Sequence, residues 1–136
     1  MAEDPHPALP RSNVLLVEDE PLLRSTLQRT LEFYGYEVES VEGGMAAQAA
    51  LACGGFDLLL TDVSLGGAVN GFQLAFWARD RLPGLPMVLI SGLALSAPPR
   101  ALLDDAAVWM LPKPFSAVRL MAILRDALVA TRWETV

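Results

Sequence analysis

Short apolar segments alternate along the chain with longer segments in which apolar residues recur at helical spacing. Five segments have the length and the apolar content expected of strands: Val14–Val17, Glu37–Val41, Phe56–Thr61, Pro86–Ile90 and Trp109–Leu111. The central segments are apolar at successive positions, which is typical of strands buried on both faces, whereas Glu37–Val41 alternates polar and apolar residues. With helices between the strands, the pattern predicts an α/β fold in which helices cover both faces of a parallel five-stranded sheet.

The predicted helices begin and end at residues that favour helix termini. Pro21 opens the first helix and Gly35 ends it, and Leu23, Leu27 and Leu31 recur between them at helical spacing. The other helices are expected at Met45–Leu51 before Gly54-Gly55, at Gly71–Leu82, in a short stretch between residues 94 and 104, and from Ser116 to about Thr131.

Proline and serine define the two helices near the C-terminus. Pro98-Pro99 limits the fourth helix to a short one, because proline is tolerated only in the first turn. Ser116 is the expected N-cap of the last helix, with Phe115 and Leu120 placed as a hydrophobic staple.

The expected organisation is a disordered N-terminal tail over residues 1–12, one domain over 13–131 and a C-terminal tail over 132–136.

Composition narrows the class of protein. The 136 residues fit one domain, and no apolar stretch approaches the roughly 20 residues that span a bilayer. Cys53 is the single cysteine, so an internal disulfide is excluded and a reducing cytoplasm is the expected location. A net charge of −6 argues against a broad nucleic-acid surface, and His6 is interpreted as a bystander in the tail. We expect neither nucleic acid nor membrane as a direct partner.

Polar side chains follow four of the predicted strands at the point where each strand ends. Glu18 and Asp19 follow the first strand, Asp62 closes the third, Ser91 closes the fourth and Lys113 follows the fifth. The carboxyl ends of parallel strands share one edge of a sheet, which is where open α/β folds bind ligands. These side chains are therefore expected to converge on a single site.

The chemistry of these groups suits phosphoryl transfer. Carboxylates at Glu18, Asp19 and Asp62 would repel one another unless a hard cation lay between them, and oxygen ligands favour Mg²⁺ or Mn²⁺. An Asp carboxylate beside Mg²⁺ can attack phosphorus and form an acyl phosphate. Lys113 supplies a cation for the phosphoryl charge and the Ser91 hydroxyl can donate to a phosphoryl oxygen. The constellation predicts a self-phosphorylation site.

With these motifs at these intervals, residues 13 to 130 resemble a response-regulator receiver domain of bacterial two-component signalling. The resemblance implies a doubly wound, flavodoxin-like or CheY-like (βα)5 fold with strand order 2-1-3-4-5. It further implies that Asp62 is the phosphoacceptor, that Glu18, Asp19, Asp62 and the Ser64 backbone carbonyl hold Mg²⁺, and that Ser91 is the switch hydroxyl. Lys113 then precedes a cis-proline bond at Pro114. The protein would not be an enzyme beyond its own phosphorylation and dephosphorylation.

The resemblance also implies partners. A histidine kinase or histidine phosphotransfer protein would dock where the first helix meets the active-site loops, and a downstream protein would read the phosphorylated state. No output domain follows residue 136, so the effect is expected to pass through protein binding or the domain to act as a phosphate shuttle or sink. Alternatively, the chain is a fragment of a hybrid histidine kinase or of a longer response regulator.

Three positions depart from the family pattern. The aromatic switch residue, usually three positions before the lysine, is Met110 here, with Trp109 beside it. Gly66 replaces a proline common four positions after the phosphoacceptor, and its loop is one residue longer than the compact form. Leu93 occupies a position that tunes acyl-phosphate hydrolysis in the family. The missing aromatic keeps open an alternative function as a phosphorylation-independent interaction module.

Two other classes of protein fit these motifs less well. A haloacid-dehalogenase-like phosphohydrolase should carry an acid/base Asp two residues after its nucleophile, where this chain has Ser64. A dinucleotide-binding domain should carry a Gly-x-Gly-x-x-Gly motif after the first strand, and this motif is absent.

Apolar residues of the last helix have two possible roles. They either line an output or homodimer face with the last strand or, as we favour, pack in the core: Met121, Ala122, Leu128 and Val129.

Overall fold

The computed structural model describes residues 12–92 and 98–134, with side chains described through residue 130. All its strands are parallel and form one sheet in the order β2-β1-β3-β4-β5. The strands are β1 (Asn13–Val17), β2 (Glu37–Val41), β3 (Leu58–Asp62), β4 (Met87–Ser91) and β5 (Val108–Pro112). The helices of the described part are α1 (Pro21–Phe33), α2 (Gly44–Cys53), α3 (Gly71–Arg81), α4 (Arg100–Leu103) and α5 (Ala117–Glu134). The predicted fold class and strand order are confirmed.

Alternate residues of the central strands face two separate apolar cores. On one face, Leu16 and Leu60 pack among residues of α1 and α5 such as Leu27 and Leu124. On the other face, Leu15 and Leu59 belong to a core shared with α2, α3 and α4. β1, β3 and most of β4 are buried on both faces, whereas β2 lies at an edge with its glutamates exposed. The continuous apolar runs predicted the central strands that are buried on both faces, and β2 is the segment in which polar and apolar residues alternate.

Side-chain caps explain where three helices begin. Glu20 accepts hydrogen bonds from the backbone N–H groups of Leu22 and Leu23, at 3.2 and 2.6 Å, and so caps α1. Asn70 and Gln73 form a reciprocal capping box at the start of α3. The Ser116 hydroxyl accepts from the Arg119 N–H at 3.0 Å, which confirms the predicted cap of α5. Glu20, which directly follows Glu18 and Asp19 in the chain, therefore serves as a helix cap.

Several boundaries differ from the predicted ones. Ser12 is already buried and its carbonyl accepts from the Glu37 N–H, so the folded domain begins before residue 13. α5 continues to Glu134, past the expected end near Thr131, because no glycine or proline interrupts it there. Residues 1–11 of the predicted tail, which include His6, lie outside the described residues, as does Leu93.

The last helix resolves one of the open alternatives. Met121 and Leu128 are buried in the core with α1 and the sheet, while Ala122 and Val129 are half-buried. The core interpretation therefore holds for the two largest of these side chains. Within the part of the chain that the structure describes, no helix combines the length and the apolar character needed to cross a bilayer.

Candidate functional site

The carboxyl edge of the sheet brings together the side chains predicted from the strand ends. Asp62 is the last residue of β3 and only 3% exposed, and Lys113 lies one residue beyond β5. Lys113 Nζ donates to Asp62 Oδ2 at 2.8 Å across the ends of three adjacent strands. The expected convergence of Asp62 and Lys113 is thus present in the structure.

Both carboxylate oxygens of Asp62 have defined partners. Oδ2 accepts from Lys113, and Oδ1 accepts from the backbone N–H of Ser64 at 2.8 Å. The backbone N–H of Lys113 in turn donates to the Ser91 carbonyl at 2.8 Å, and the Lys113–Pro114 peptide bond is cis, as the family resemblance predicted. The Asp62 carboxylate and the Lys113 ammonium are thus held together by contacts at the ends of β3, β4 and β5.

Glu18 is a buried carboxyl group beside this pair. It is 2% exposed, and its Oε2 accepts from the Glu20 N–H at 3.2 Å. Its Oε1 is buried without a hydrogen-bond partner among the described residues. Burial, with the nearby carboxyl groups of Asp19 and Asp62, raises the pKa of Glu18 from 4.5 to about 7. Near neutral pH this group readily holds a proton when no cation is bound.

Asp19 faces the site from the exposed side. Its Oδ2 accepts a hydrogen bond from the Gly66 N–H at 3.1 Å, a contact between residues 47 positions apart. Burial favours its neutral form, but interactions with Glu18, the Gly66 N–H and Lys113 hold the pKa of Asp19 below its ordinary value of 3.8. Asp19 therefore stays ionised over the pH range in which Glu18 gains a proton.

The donor set fits a hard divalent cation. No group of three or more His, Cys, Asp or Glu side chains within residues 12–92 and 98–134 is arranged as a complete metal cage. Mg²⁺ rarely uses such a cage, because it keeps several waters and takes only one or two carboxylates. The unpartnered Glu18 Oε1 and the ionised Asp19 offer oxygen ligands at this edge.

Ser91 and the residues around it occupy the neighbouring strand end. Ser91 follows Ile90, which is in register with Asp62, and it is half-buried. Among the described contacts, no hydrogen bond joins its hydroxyl to Asp62. Met110 packs on the sheet face covered by α4, whereas Trp109 packs on the α1 and α5 face. Trp109 therefore does not stand on the α4 side where Met110 replaces the expected aromatic residue.

Sequence reasoning missed the backbone and side-chain groups that hold the acidic residues. The Ser64 and Gly66 N–H groups bind Asp62 and Asp19, and Arg24 Nη1 donates to the Glu18 carbonyl at 2.8 Å. A backbone donor leaves no residue-type signal in a sequence. The contact of Arg24 could have been predicted. A basic residue in the first turns of a helix interacts unfavourably with the helix dipole, so an acceptor near its side chain is expected.

The pKa of Glu18 leads to a prediction about stability. A carboxyl group whose folded pKa is raised stabilises the fold fully below about pH 4.5 and loses that contribution as the pH rises through about 7. Without metal, Glu18→Gln is therefore expected to be more stable than the wild type at pH 8.5, on the order of 2 kcal/mol, with the difference vanishing near pH 4.5. Urea unfolding in EDTA at both pH values measures it, and parallel pH profiles for the two proteins would show the expectation to be wrong.

Comparisons with known proteins agree with this architecture. The family model for the response regulator receiver domain matches residues 14–125. Response regulator protein FleR of Pseudomonas aeruginosa is 36% identical over 114 residues, which cover 83% of this chain and 24% of that protein. Transcriptional regulatory protein TcrA of Mycobacterium tuberculosis is 34% identical over 112 residues, covering 82% of this chain and 44% of that protein. The chain thus spans less than half the length of these relatives.

A solved structure gives the same result in three dimensions. The response regulator receiver protein from Sinorhizobium medicae superposes with a TM-score of 0.78 at 29% identity, covering 91% of this chain and 99% of that one. The receiver domain protein from Clostridium thermocellum, at 19% identity and a TM-score of 0.81, shares the fold.

Proposed function

This chain belongs to the response regulator receiver domain family, and from that premise we propose that Asp62 accepts a phosphoryl group from a histidine kinase or a histidine phosphotransfer protein. The modified domain would then change its protein–protein interactions. Two-component signalling is the function that membership establishes. The acceptor residue, the metal and the direction of the response are our proposal.

The contact between Asp62 and Lys113 carries this proposal. A nearly buried carboxylate has one oxygen on a lysine ammonium and the other on a backbone N–H. One carboxylate oxygen would attack the phosphorus of a phosphohistidine, the phosphorus–nitrogen bond would break, and the imidazole would leave with the electron pair. Lys113, already within 2.8 Å, would remain beside the transferred group and offset its charge.

The acidic residues would hold the divalent cation. Asp19 and Asp62, with the Ser64 backbone carbonyl, would bind Mg²⁺ directly, or Mn²⁺ in its place, and Glu18 would take part through water. When bound, this ion supplies positive charge that neutralises the equatorial phosphoryl oxygens during transfer. Glu18, whose pKa is about 7 without metal, would give up its proton as the cation enters.

Switching would involve Ser91 and the face around β5. The Ser91 hydroxyl lies at the end of the strand next to Asp62, and its carbonyl already joins it to Lys113. A phosphoryl group on Asp62 would attract this hydroxyl, and the shift would bias the loop after β4 and the β5–α5 face. Because Met110 stands on the α4 side, this coupling would proceed without an aromatic side chain. A homodimer through β5 and α5 remains one proposed output.

An apolar groove beside the site suits the phosphodonor. A groove of about 420 Å³ between α1 and the start of α5 is lined by Leu23, Leu27, Phe115 and Leu120 and reaches Lys113. Leu22 and Val118, at 74% and 51% exposure, are large apolar side chains on the two flanking helices. A donor whose phosphohistidine enters at Lys113 would cover this surface and bury apolar area there.

A phosphorylation-independent interaction module is the second candidate. The observation that favours it is Met110, which leaves the α4 side of β5 without the aromatic residue expected in a switching domain. The intact ion pair at Asp62 favours phosphorylation instead. The site would be the same in a stand-alone regulator, in part of a longer response regulator and in part of a hybrid kinase. A cytoplasmic location suits all three.

Asp19→Asn provides a test of the metal site. Replacing a carboxylate ligand by a neutral amide is expected to weaken Mg²⁺ binding at least about tenfold, because charge is the main attraction for a hard cation. Calorimetric titration of metal-free protein measures the affinity, and Asp80→Asn, an exposed position on α3, is the matched control. Equal affinity in the wild type and Asp19→Asn would remove Asp19 from the site.

Phosphorylation itself is tested by intact mass. Wild-type protein is incubated with acetyl phosphate or with phosphoramidate, which resembles phosphohistidine, in Mg²⁺ or in excess EDTA. One added phosphoryl group in Mg²⁺, and none in EDTA, is the expected result. If a cognate phosphohistidine protein also transfers nothing while Mg²⁺ binds normally, the interaction module becomes the better account.

A further inference from the structure

The three acidic side chains of the site are each held by one backbone N–H, and one of these contacts differs from the others. Glu18 accepts from Glu20 and Asp62 accepts from Ser64, both two residues away on the same loop. Asp19 instead accepts from Gly66, which lies on the loop after β3. Of these three contacts, the one between Gly66 and Asp19 joins the β1–α1 loop to the β3–α3 loop.

We propose that the Gly66 backbone N–H is a positioning group for the cation site, because it fixes the Asp19 carboxylate relative to Asp62. The inference rests on the proposed function, in which Asp19 and Asp62 hold the cation together. A metal ligand whose orientation is fixed by an outer hydrogen bond binds more tightly, since less ordering remains to be done on binding. Gly66 does not touch the cation and acts through Asp19.

The loop that carries Gly66 is itself anchored. Leu65 is 7% exposed and packs in the core beneath α2 and α3, and its N–H donates to the Val63 carbonyl at 3.1 Å. Gly67 then turns the chain with a φ of +85°, a conformation that side chains rarely adopt. Gly66 lies between a buried anchor and a fixed turn, so its N–H has a defined direction.

Stability alone does not explain this contact. Gly66 and Asp19 are both exposed, and an exposed hydrogen bond contributes little to the free energy of unfolding because water replaces either partner. The contact instead spans the opening between the β1–α1 and β3–α3 loops. Its consequence is the relative placement of two carboxylates.

A matched pair of substitutions separates the N–H from the rest of the residue. An ideal Cβ at Gly66 lies 3.5 Å from Asp19 Oδ2, an ordinary contact, and Gly66 does not have a positive φ, so Gly66→Ala keeps the donor without strain. Gly66→Pro removes the donor. Both substitutions restrict the backbone, and Gly66→Pro in addition replaces the N–H by the proline ring.

Mg²⁺ titration of metal-free wild type, Gly66→Ala and Gly66→Pro is the test, with urea unfolding as the fold control. We expect the alanine variant to bind within about twofold of the wild type and the proline variant about tenfold more weakly. Equal affinity for the two variants, with normal wild-type binding, would overturn the role of the Gly66 N–H. Absence of wild-type binding would instead overturn the proposed cation site itself.

Hydrogen exchange provides a second readout that needs neither metal nor proline. In the metal-free wild type, the Gly66 amide is expected to exchange slowly for an exposed loop, and Asp19→Ala is expected to accelerate it about tenfold, whereas Asp80→Ala leaves it unchanged. If Gly66→Pro does not fold, this measurement decides alone. Equal exchange of the Gly66 amide in wild type and Asp19→Ala would overturn the proposal.

Discussion

Asp62→Asn is expected to abolish phosphoryl addition while leaving the fold in place. The amide has no anionic oxygen with which to attack phosphorus, so no acyl phosphate forms. The substitution is nearly isosteric, and the remaining side-chain oxygen can still accept from the Ser64 N–H that now holds Oδ1 at 2.8 Å. Lys113 loses its ion pair, but its partly exposed ammonium regains water.

The control for this substitution is Asp80→Asn, an exposed carboxylate in the last turn of α3, at the opposite end of that helix from Gly71. Intact mass under identical donor and Mg²⁺ conditions should show full modification of the control and none of the Asp62 variant. Circular dichroism and urea unfolding establish that both are folded. Undiminished phosphoryl addition to the Asp62 variant would mean that another residue is the acceptor.

Gly71→Ala is expected to destabilise the domain by about 3 kcal/mol, the largest single effect on stability in this account. A Cβ at this position would overlap the Asp62 carbonyl and lie 2.6 Å from the Val63 Cα. Both are backbone atoms that cannot rotate away, so the start of α3 must move off the end of β3. The same displacement would disturb Asp62, and phosphoryl addition should fall with stability.

Gly43→Ala is the matched control, since a Cβ there meets nothing within 4 Å and its φ of −157° is ordinary extended backbone. As the N-cap of α2 it should cost less than about 1 kcal/mol. Urea unfolding of the two variants gives the comparison. Similar losses at both positions would contradict the close approach of α3 to β3.

Much of the fold could be predicted from the hydrophobic pattern because the central strands are buried on both faces of the sheet. Continuous apolar runs predicted the central strands, and the alternating Glu37–Val41 segment predicted a more exposed strand with its bounds as found. The hydrophobic pattern did not predict every strand boundary. β3 begins at Leu58 rather than Phe56, and Phe56 is partly buried against the core without being part of the strand.

Some contacts of the candidate site could likewise be predicted from the sequence, and others could not. The meeting of Asp62 and Lys113 could be predicted, because parallel strands place their ends together regardless of loop detail. The Gly66 contact with Asp19 could not, since any residue except proline carries an N–H and only the loop path directs it. The capping role of Glu20 depends on the geometry of the first turn of α1, which the sequence pattern does not specify.

The location of the phosphoryl group on the wild-type chain is the decisive measurement for the proposed phosphoacceptor. The protein is phosphorylated in Mg²⁺, the acyl phosphate is reduced with borohydride, and the modified residue is identified in peptides by mass spectrometry. We predict reduction at Asp62 alone. Modification at Asp19 or at any other residue, with Asp62 unmodified, would contradict it.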